Sequence, residues 1–401
     1  MKRPCLILAP GKERSLQRRH PWLFSGAVAR IDGSPSEGDL VDVADAHGHW
    51  LATGHYQQES IICKILSFDT PVVDEAFFRQ RLLSAVNYRK RLGFFDDKST
   101  NVFRMVHAEG DGLPGLVCDW YNGVLVMQAH SIGMHRLFPL FTNLFAELLA
   151  PYGLVSVFDK SRATIPAARQ KDIVQEPVID GFIWGSEEAE QEVVEHGIKL
   201  MVNFYEGQKT GFFIDQRENR HQVGALAAGR RVLNCFGYTG GFSLAALQGG
   251  AAYVETVDIS KKAIALCNRN VERNFGDAAP HRGVVADVLD YLATSDSRFD
   301  LVILDPPAFA KNHRSLQQGL RGYRAINQRA MEHMPAGGLL MTFSCSQAVS
   351  AEDFQTMIFT SAANAHRSVR IVRRLPHAMD HPVSIFHPEG EYLKGLLLEV
   401  E

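Results

Sequence analysis

Arg231-Val-Leu-Asn-Cys-Phe-Gly-Tyr-Thr-Gly-Gly-Phe242 is the stretch that decides the fold. An apolar run ends in a glycine-containing turn, and the turn opens into an apolar helix, Phe242–Gln248, stopped by Gly249-Gly250. Strand, turn and helix in that order open a parallel α/β sheet. Glycine there lets the backbone approach a ligand at the carboxyl end of the first strand. The spacing is not G-x-G-x-x-G, which argues against a plain dinucleotide site.

The pattern continues toward the C-terminus. The next strand, Tyr253–Asp258, ends in an acid 21 residues after Gly237, a placement suited to ribose hydroxyls. A third, Gly283-Val-Val-Ala-Asp287, ends in another acid, suited to an adenine amino group. The fourth, Phe299–Asp305, runs into Pro306-Pro307. The fifth, Gly338–Phe343, leads to Ser344-Cys345-Ser346. Strand-end acids often do no more than cap helices. The ordered set, all at the edge where open α/β sheets bind ligands, points instead to a nucleoside-type cofactor.

Toward the N-terminus the alternation of strands and helices begins near residue 198. Residues 185–195, with Glu187, Glu188, Glu190, Glu192 and Glu195, read as an exposed connector or hairpin tip. Residues 79–184 read as a small α+β domain. In it, helical periodicity fills 74–92 and 135–150, and strands run over Val102–His107, Leu116–Asp119 and Leu154–Lys160. The first 78 residues hold short strands at 39–44, 50–56 and 61–66, most simply closed as a small β-barrel. The expected organisation is thus a barrel (1–78), a central α+β domain (79–184) and an α/β domain (190–401).

Of the 401 residues, 46% are hydrophobic and 22% charged, the balance of a globular chain with a large core. A net charge of −3 gives no global case for nucleic-acid binding, so any case is local. One patch exists: Lys2, Arg3, Lys12, Arg14, Arg18, Arg19 and Arg30 stand against the lone acid Glu13. The alternative is a solvated basic terminus. Six dispersed cysteines without a C-x-x-C pair suggest a reduced, cytoplasmic protein. No signal peptide and no membrane span are expected.

Asn234-Cys-Phe-Gly-Tyr-Thr-Gly-Gly-Phe-Ser243 and Leu304-Asp-Pro-Pro-Ala-Phe309 resemble motifs I and IV of class I methyltransferases. Lys209-Thr-Gly-Phe-Phe-Ile-Asp-Gln-Arg217 resembles a cofactor-holding segment that precedes motif I in one RNA methyltransferase group. Thr342-Phe-Ser-Cys-Ser346 is similar to the nucleophile motif of RNA 5-methylcytosine enzymes. Gly11-Lys-Glu-Arg-Ser-Leu16 and Arg19-His-Pro-Trp-Leu-Phe-Ser-Gly26 match the N-terminal pattern of bacterial large-subunit rRNA (cytosine-5)-methyltransferases that begin with a PUA domain. The resemblance runs nearly end to end.

It implies a Rossmann-like catalytic domain that uses S-adenosyl-L-methionine, a ribosomal RNA partner, and no metal. The implied cofactor residues are Thr210, Phe213, Asp215, Gln216, Asn234, Phe236, Tyr238, Thr239, Gly240, Asp258, Asp287, Asp305 and Pro306. The PUA-type barrel would meet RNA through Lys12, Arg14, Arg18, Arg19 and His20, with Trp22 nearby and Phe24 in the barrel core. The oligomeric state stays open, a homodimer included.

Carbon 5 of cytosine is a poor nucleophile until a thiolate adds at carbon 6. Cys345 is the implied thiolate, with Cys235 the competing candidate, expected instead to pack or line the cofactor site. Asp305 would hydrogen-bond the ring N3 and exocyclic amine. Many cytosine-5 enzymes place a second Cys after the motif IV Pro, whereas here Ala308 and Phe309 follow Pro307. That departure keeps open an exocyclic amino methyltransferase of guanine or adenine, in which the aromatic stacks on the base. A third reading is a non-catalytic RNA-binding assembly factor. His377, His381 and His387 lack further ligand residues at metal-site spacing.

Overall fold

The computed structural model describes residues 3–165, 178–294, 298–310 and 312–401, so Lys2 of the basic patch lies outside the described residues. The chain forms two compact units. One comprises Met1–Val193, Val202–Ile214 and Met379–Gly390; the other comprises Val194–Met201, Asp215–Ala378 and Glu391–Glu401.

The first unit begins with β1 (Cys5–Leu8), β2 (Trp22–Phe24), β3 (Val28–Asp32), β4 (Leu40–Ala44), β5 (Trp50–Tyr56) and β6 (Ile61–Ser67). Their order is β2-β6-β5-β4-β1-β3. The two edge strands, β2 and β3, are joined only by the single turn Ser25–Ala27, so the sheet curls until its edges approach. Leu6, Leu8, Leu23, Val41, Val43, Ala52 and Ile65 fill its interior. Phe24 does not join them and is 47% exposed. Side chains alternate along a strand, and Leu23 takes the inward position, which turns Trp22 and Phe24 outward.

The same unit carries a second sheet, ordered β11-β10-β9-β8-β7. Its strands are β7 (Val102–His107), β8 (Leu116–Tyr121), β9 (Val124–Ala129), β10 (Ser156–Asp159) and β11 (Gly181–Gly185). Helix Glu75–Arg91 is capped by Asp74, whose carboxylate accepts from the Phe77 amide at 2.9 Å. It buries Phe78 and Leu82 in one core with Phe103, Trp120, Phe141 and Phe145. The helix expected over 135–150 is broken into Ile132–His135 and Phe138–Leu149, the second beginning with Pro139 in its first turn. Arg104 and Asp119 form a buried ion pair across β7 and β8.

Strands β12 (Glu190–Glu195) and β13 (Ile198–Asn203) form a two-stranded ribbon. The acidic stretch is therefore only partly an exposed connector. Glu195 is buried, and both its oxygens accept from Arg220, Nε and Nη2 each at 2.6 Å.

The second unit is built on β14 (Arg231–Cys235), β15 (Tyr253–Asp258), β16 (His281–Val285), β17 (Leu301–Leu304), β18 (Gly338–Ser344), β19 (Val369–Leu375) and β20 (Lys394–Val400). The order is β16-β15-β14-β17-β18-β20-β19, parallel except for β20. Val232, Leu233, Val254, Val257 and Leu301–Leu304 are buried, as strands covered by helices on both faces must be. The chain's progression across the sheet reverses at β14, so the crevice at its carboxyl end is the natural ligand position. Among the described residues no helix is long and apolar enough to cross a membrane.

Candidate active site

The turn after β14 is tightly held. Phe236, Tyr238 and Gly240 have φ of 58°, 46° and 87°, the left-handed region. A Cβ on Gly237 would lie 2.2 Å from Thr256 Cγ2, and one on Gly240 would lie 2.4 Å from Cys267 Sγ. Only glycine at these two positions lets the turn pack on β15 and helix Lys261–Phe275. Asp258, at the end of β15, fixes the turn from the side: Oδ2 accepts from the Tyr238 amide at 3.0 Å and Oδ1 from the Ser260 amide at 2.8 Å. Thr239 is buried and its carbonyl accepts from Asn270 at 3.1 Å. Asn234 is buried beneath the turn and donates to Ser243 Oγ at 2.9 Å.

Asp287 requires a correction. The third strand ends at Val285, and Asp287 is an exposed residue two positions beyond it. Its Oδ1 accepts from the Leu289 and Asp290 amides at 2.8 and 3.2 Å, the geometry of a helix cap. It still stands at the same sheet edge as Asp258, one strand further out.

Across β14 from Asp258, Asp305 follows β17 and Cys345 follows β18, adjacent strands with Leu304 opposite Thr342. The Cys345 thiol lies 3.9 Å from the Pro306 carbonyl as a weak donor, and Cys345 is half-buried. Cys235 is wholly buried, and burial pushes its thiol above the ordinary range. Of the two candidate thiols, Cys345 alone is reachable. Gln216 Nε2 donates to Asp305 Oδ1 at 3.1 Å and is itself held by Asn219 at 2.6 Å. Asp215 accepts from the Tyr392 hydroxyl at 2.6 Å.

Two residues of this site, Tyr323 and Lys394, carry no local sequence signal, and the role of Ser346 is visible only in the structure. Ser346 Oγ accepts from the Ala310 amide at 3.1 Å and pairs with the buried Tyr323 hydroxyl at 2.8 Å, tying the Asp305–Ala310 loop to the Cys345 turn. The Tyr323 ring also packs on Phe309 at 4.8 Å. Lys394 donates to the Ser346 and Tyr392 carbonyls, both at 2.7 Å. Burial pulls its ammonium down to about 8, against an opposing attraction from Cys345.

The remaining expected residues lie in the first unit. The Thr210 hydroxyl bonds Asp119 at 2.5 Å and Tyr121 at 2.8 Å, and Lys209 lies over the Phe213 ring at 4.7 Å. Lys12, Arg14 and Arg18 are exposed. Arg19 pairs with both oxygens of Asp69 at 2.9 and 2.8 Å and covers the Phe68 ring. His20 pairs with Glu389 at 3.3 Å and stands 6.4 Å from the Phe24 ring and 5.8 Å from His387. Trp22 is half-buried, 4.3 Å from His387, its indole donating to Glu109 at 2.9 Å. Among the described residues no group of three or more His, Cys, Asp or Glu is placed to hold a metal ion.

The description "S-adenosylmethionine-dependent methyltransferase" matches residues 167–397, and "PUA-like domain" matches residues 6–68. The chain is 38% identical over 400 residues to the ribosomal RNA large subunit methyltransferase I of Escherichia coli (strain SMS-3-5 / SECEC), covering 98% of this chain and 99% of that protein. A solved S-adenosylmethionine-dependent methyltransferase from Streptococcus mutans superimposes with a TM-score of 0.84, at 22% identity over 98% of this chain and 99% of that one. A second solved methyltransferase, complexed with SAH, gives the same TM-score at 23% identity and the same coverage.

Proposed function

The chain belongs to the S-adenosylmethionine-dependent methyltransferase family and carries an N-terminal PUA-like domain, and on that premise we propose that it is a cytoplasmic enzyme methylating carbon 5 of a cytosine in large-subunit ribosomal RNA. The observation that carries this reading is the reachable Cys345 beside the Asp305-Pro306 turn. The substrate follows the full-length likeness to the E. coli enzyme named for large-subunit ribosomal RNA.

The residues fit the cofactor. A glycine turn that admits no Cβ, an acid fixed beside it at the end of the neighbouring strand, and a further acid one strand out suit a nucleoside with a charged tail. Phe236, Tyr238, Thr239, Gly240, Asp258 and Asp287 would hold it, with Asp215, Gln216, Asn234, Asp305 and Pro306 beside them in the same unit. Thr210 and Phe213 are implied by the resemblance of Lys209–Arg217 alone. When bound, S-adenosylmethionine supplies an electrophilic methyl group.

The chain's own part is to make carbon 5 reactive. Cys345 as thiolate forms a bond to carbon 6, which turns the ring into an enamine. Asp305, oriented by Gln216, would accept from the exocyclic amine and, in its acid form, give N3 the proton that offsets the negative charge the addition places there. Once carbon 5 carries its methyl, loss of the carbon-5 proton lets the carbon–sulfur bond break. The target base must leave its stack to reach Cys345, which favours an unpaired stretch of RNA. Lys12, Arg14, Arg18 and Arg19 would neutralise phosphates, with salt-dependent affinity.

Nucleoside mass spectrometry of rRNA from a strain lacking the protein tests the reading: loss of one 5-methylcytidine is expected, and loss of a methylated guanosine or adenosine instead would overturn it. The amino-methyltransferase alternative draws on Phe309 after Asp305-Pro-Pro. That ring is half-buried against Tyr323, however, so it offers the base at most one partly covered face. Asp258→Ala is expected to weaken S-adenosylmethionine binding by about tenfold or more, about 1.4 kcal/mol, by titration calorimetry. Unchanged affinity would remove Asp258 from the pocket.

A further inference from the structure

Lys394 opens β20 directly opposite Ser344, the last residue of β18. Its two hydrogen bonds to the Ser346 and Tyr392 carbonyls fold the amine back over the turn that carries Cys345. An ammonium has three donors in tetrahedral array, so two are committed to carbonyls and a third is left over, and Cys345 is near enough to act on the charge of the amine.

The groups around this turn come from several elements. Cys345 and Glu391 both favour the charged amine. Tyr323, from helix Leu316–His333, is bonded to Ser346 Oγ. Asp305 precedes Pro306, whose carbonyl meets the Cys345 thiol, and Asp215 is joined to Tyr392.

We propose that Lys394 is the positioning residue for Cys345, taking the thiol proton and holding the sulfur as a thiolate paired with its ammonium. The S–H bond breaks, its electron pair stays on sulfur, and the proton becomes the third N–H of Lys394, so no further reactant is needed. The amine, brought down to about 8 by burial, is matched to an ordinary thiol of about 8.5, so the transfer costs little in either direction. This inference rests on the reading of Cys345 as the nucleophile.

The test is the pH dependence of Cys345 alkylation by iodoacetamide in the full-length protein, followed peptide by peptide by mass spectrometry. Half-buried Cys5, in the other unit, serves as internal control. In the unaltered protein the midpoint for Cys345 is expected at least one unit below the free-thiol value of about 8.5. Lys394→Met should raise it by about one unit or more, making alkylation near pH 7 about tenfold slower, while Lys394→Arg, which keeps the charge, should preserve the low midpoint. The Cys5 profile should not move.

An unchanged Cys345 profile in Lys394→Met overturns the proposal. So does a midpoint at or above about 8.5 in the unaltered protein, which is readable even if the Met variant fails to fold. The two readings fail separately. Full methylation by Cys345→Ala would sink the nucleophile and leave the measured pairing intact, whereas an unmoved alkylation profile would sink the pairing alone.

Discussion

Cys345→Ala is expected to lower the methylation rate by at least about 1,000-fold, about 4 kcal/mol of transition-state stabilisation. The size follows from the chemistry: without a thiolate at carbon 6, carbon 5 of cytosine has no electron pair to offer, and binding alone cannot supply one. The fold should be indifferent to the change. Cys345 is half-buried at a strand end, and its thiol lies 3.9 Å from the Pro306 carbonyl, a weak contact. Melting temperature and S-adenosylmethionine affinity should therefore stay close to those of the unaltered protein. Rate assays on an RNA carrying the target cytosine provide the check, and near-full activity would favour the amino-group reading. Cys235→Ala makes the contrast. Its side chain is fully buried in the core, so its loss should show in stability, by about 1 kcal/mol, and not in the chemical step.

The second large effect is on stability. Asp119→Ala should destabilise the first unit by about 3–5 kcal/mol, since it strips a buried cation of its partner. Asp119 is fully buried and accepts from Arg104 Nε and Nη2 at 2.5 and 3.0 Å and from the Thr210 hydroxyl. With the carboxylate gone, the Arg104 guanidinium stays in a poorly solvated place beside the neutral-or-cationic ring of His107, whose Nδ1 lies at 2.9 Å. Asp119→Asn, which keeps an acceptor but not the charge, should cost less. Urea unfolding monitored by Trp fluorescence reads both, and a loss below about 1 kcal/mol for the Ala variant would show that the pair is merely tolerated.

The ladder of strand ends in the second unit was legible because each part is local. A run of apolar residues, a glycine turn and an acid at a fixed distance are written in consecutive residues, and β14, β15 and β18 fall where the sequence puts them. Asp287 carries both placements at once, two residues past the third strand and capping the next helix through Oδ1. The rest was decided by immediate neighbours or at long range. Phe24 reads as barrel core in the sequence, but Leu23 beside it takes the inward position and alternation turns Phe24 out. Glu195 looked like part of a solvated acidic run because its partner, Arg220, lies across the next ribbon strand and a helix. Tyr323 and Lys394 reach Ser346 and the Cys345 turn from two distant parts of the chain, and only the antiparallel return of β20 puts Lys394 there. No spacing rule in the sequence could have announced that.

The chain moves from one unit to the other after residues 193, 201, 214, 378 and 390. The last excursion, 379–390, leaves between β19 and β20, and its Asp380 is buried in the first unit, accepting from the Arg104 amide at 2.7 Å. A recombination event that swapped one half of the gene for that of a relative would therefore deliver neither unit whole. A single crossover cannot exchange one unit for a relative's version and leave the other as it was.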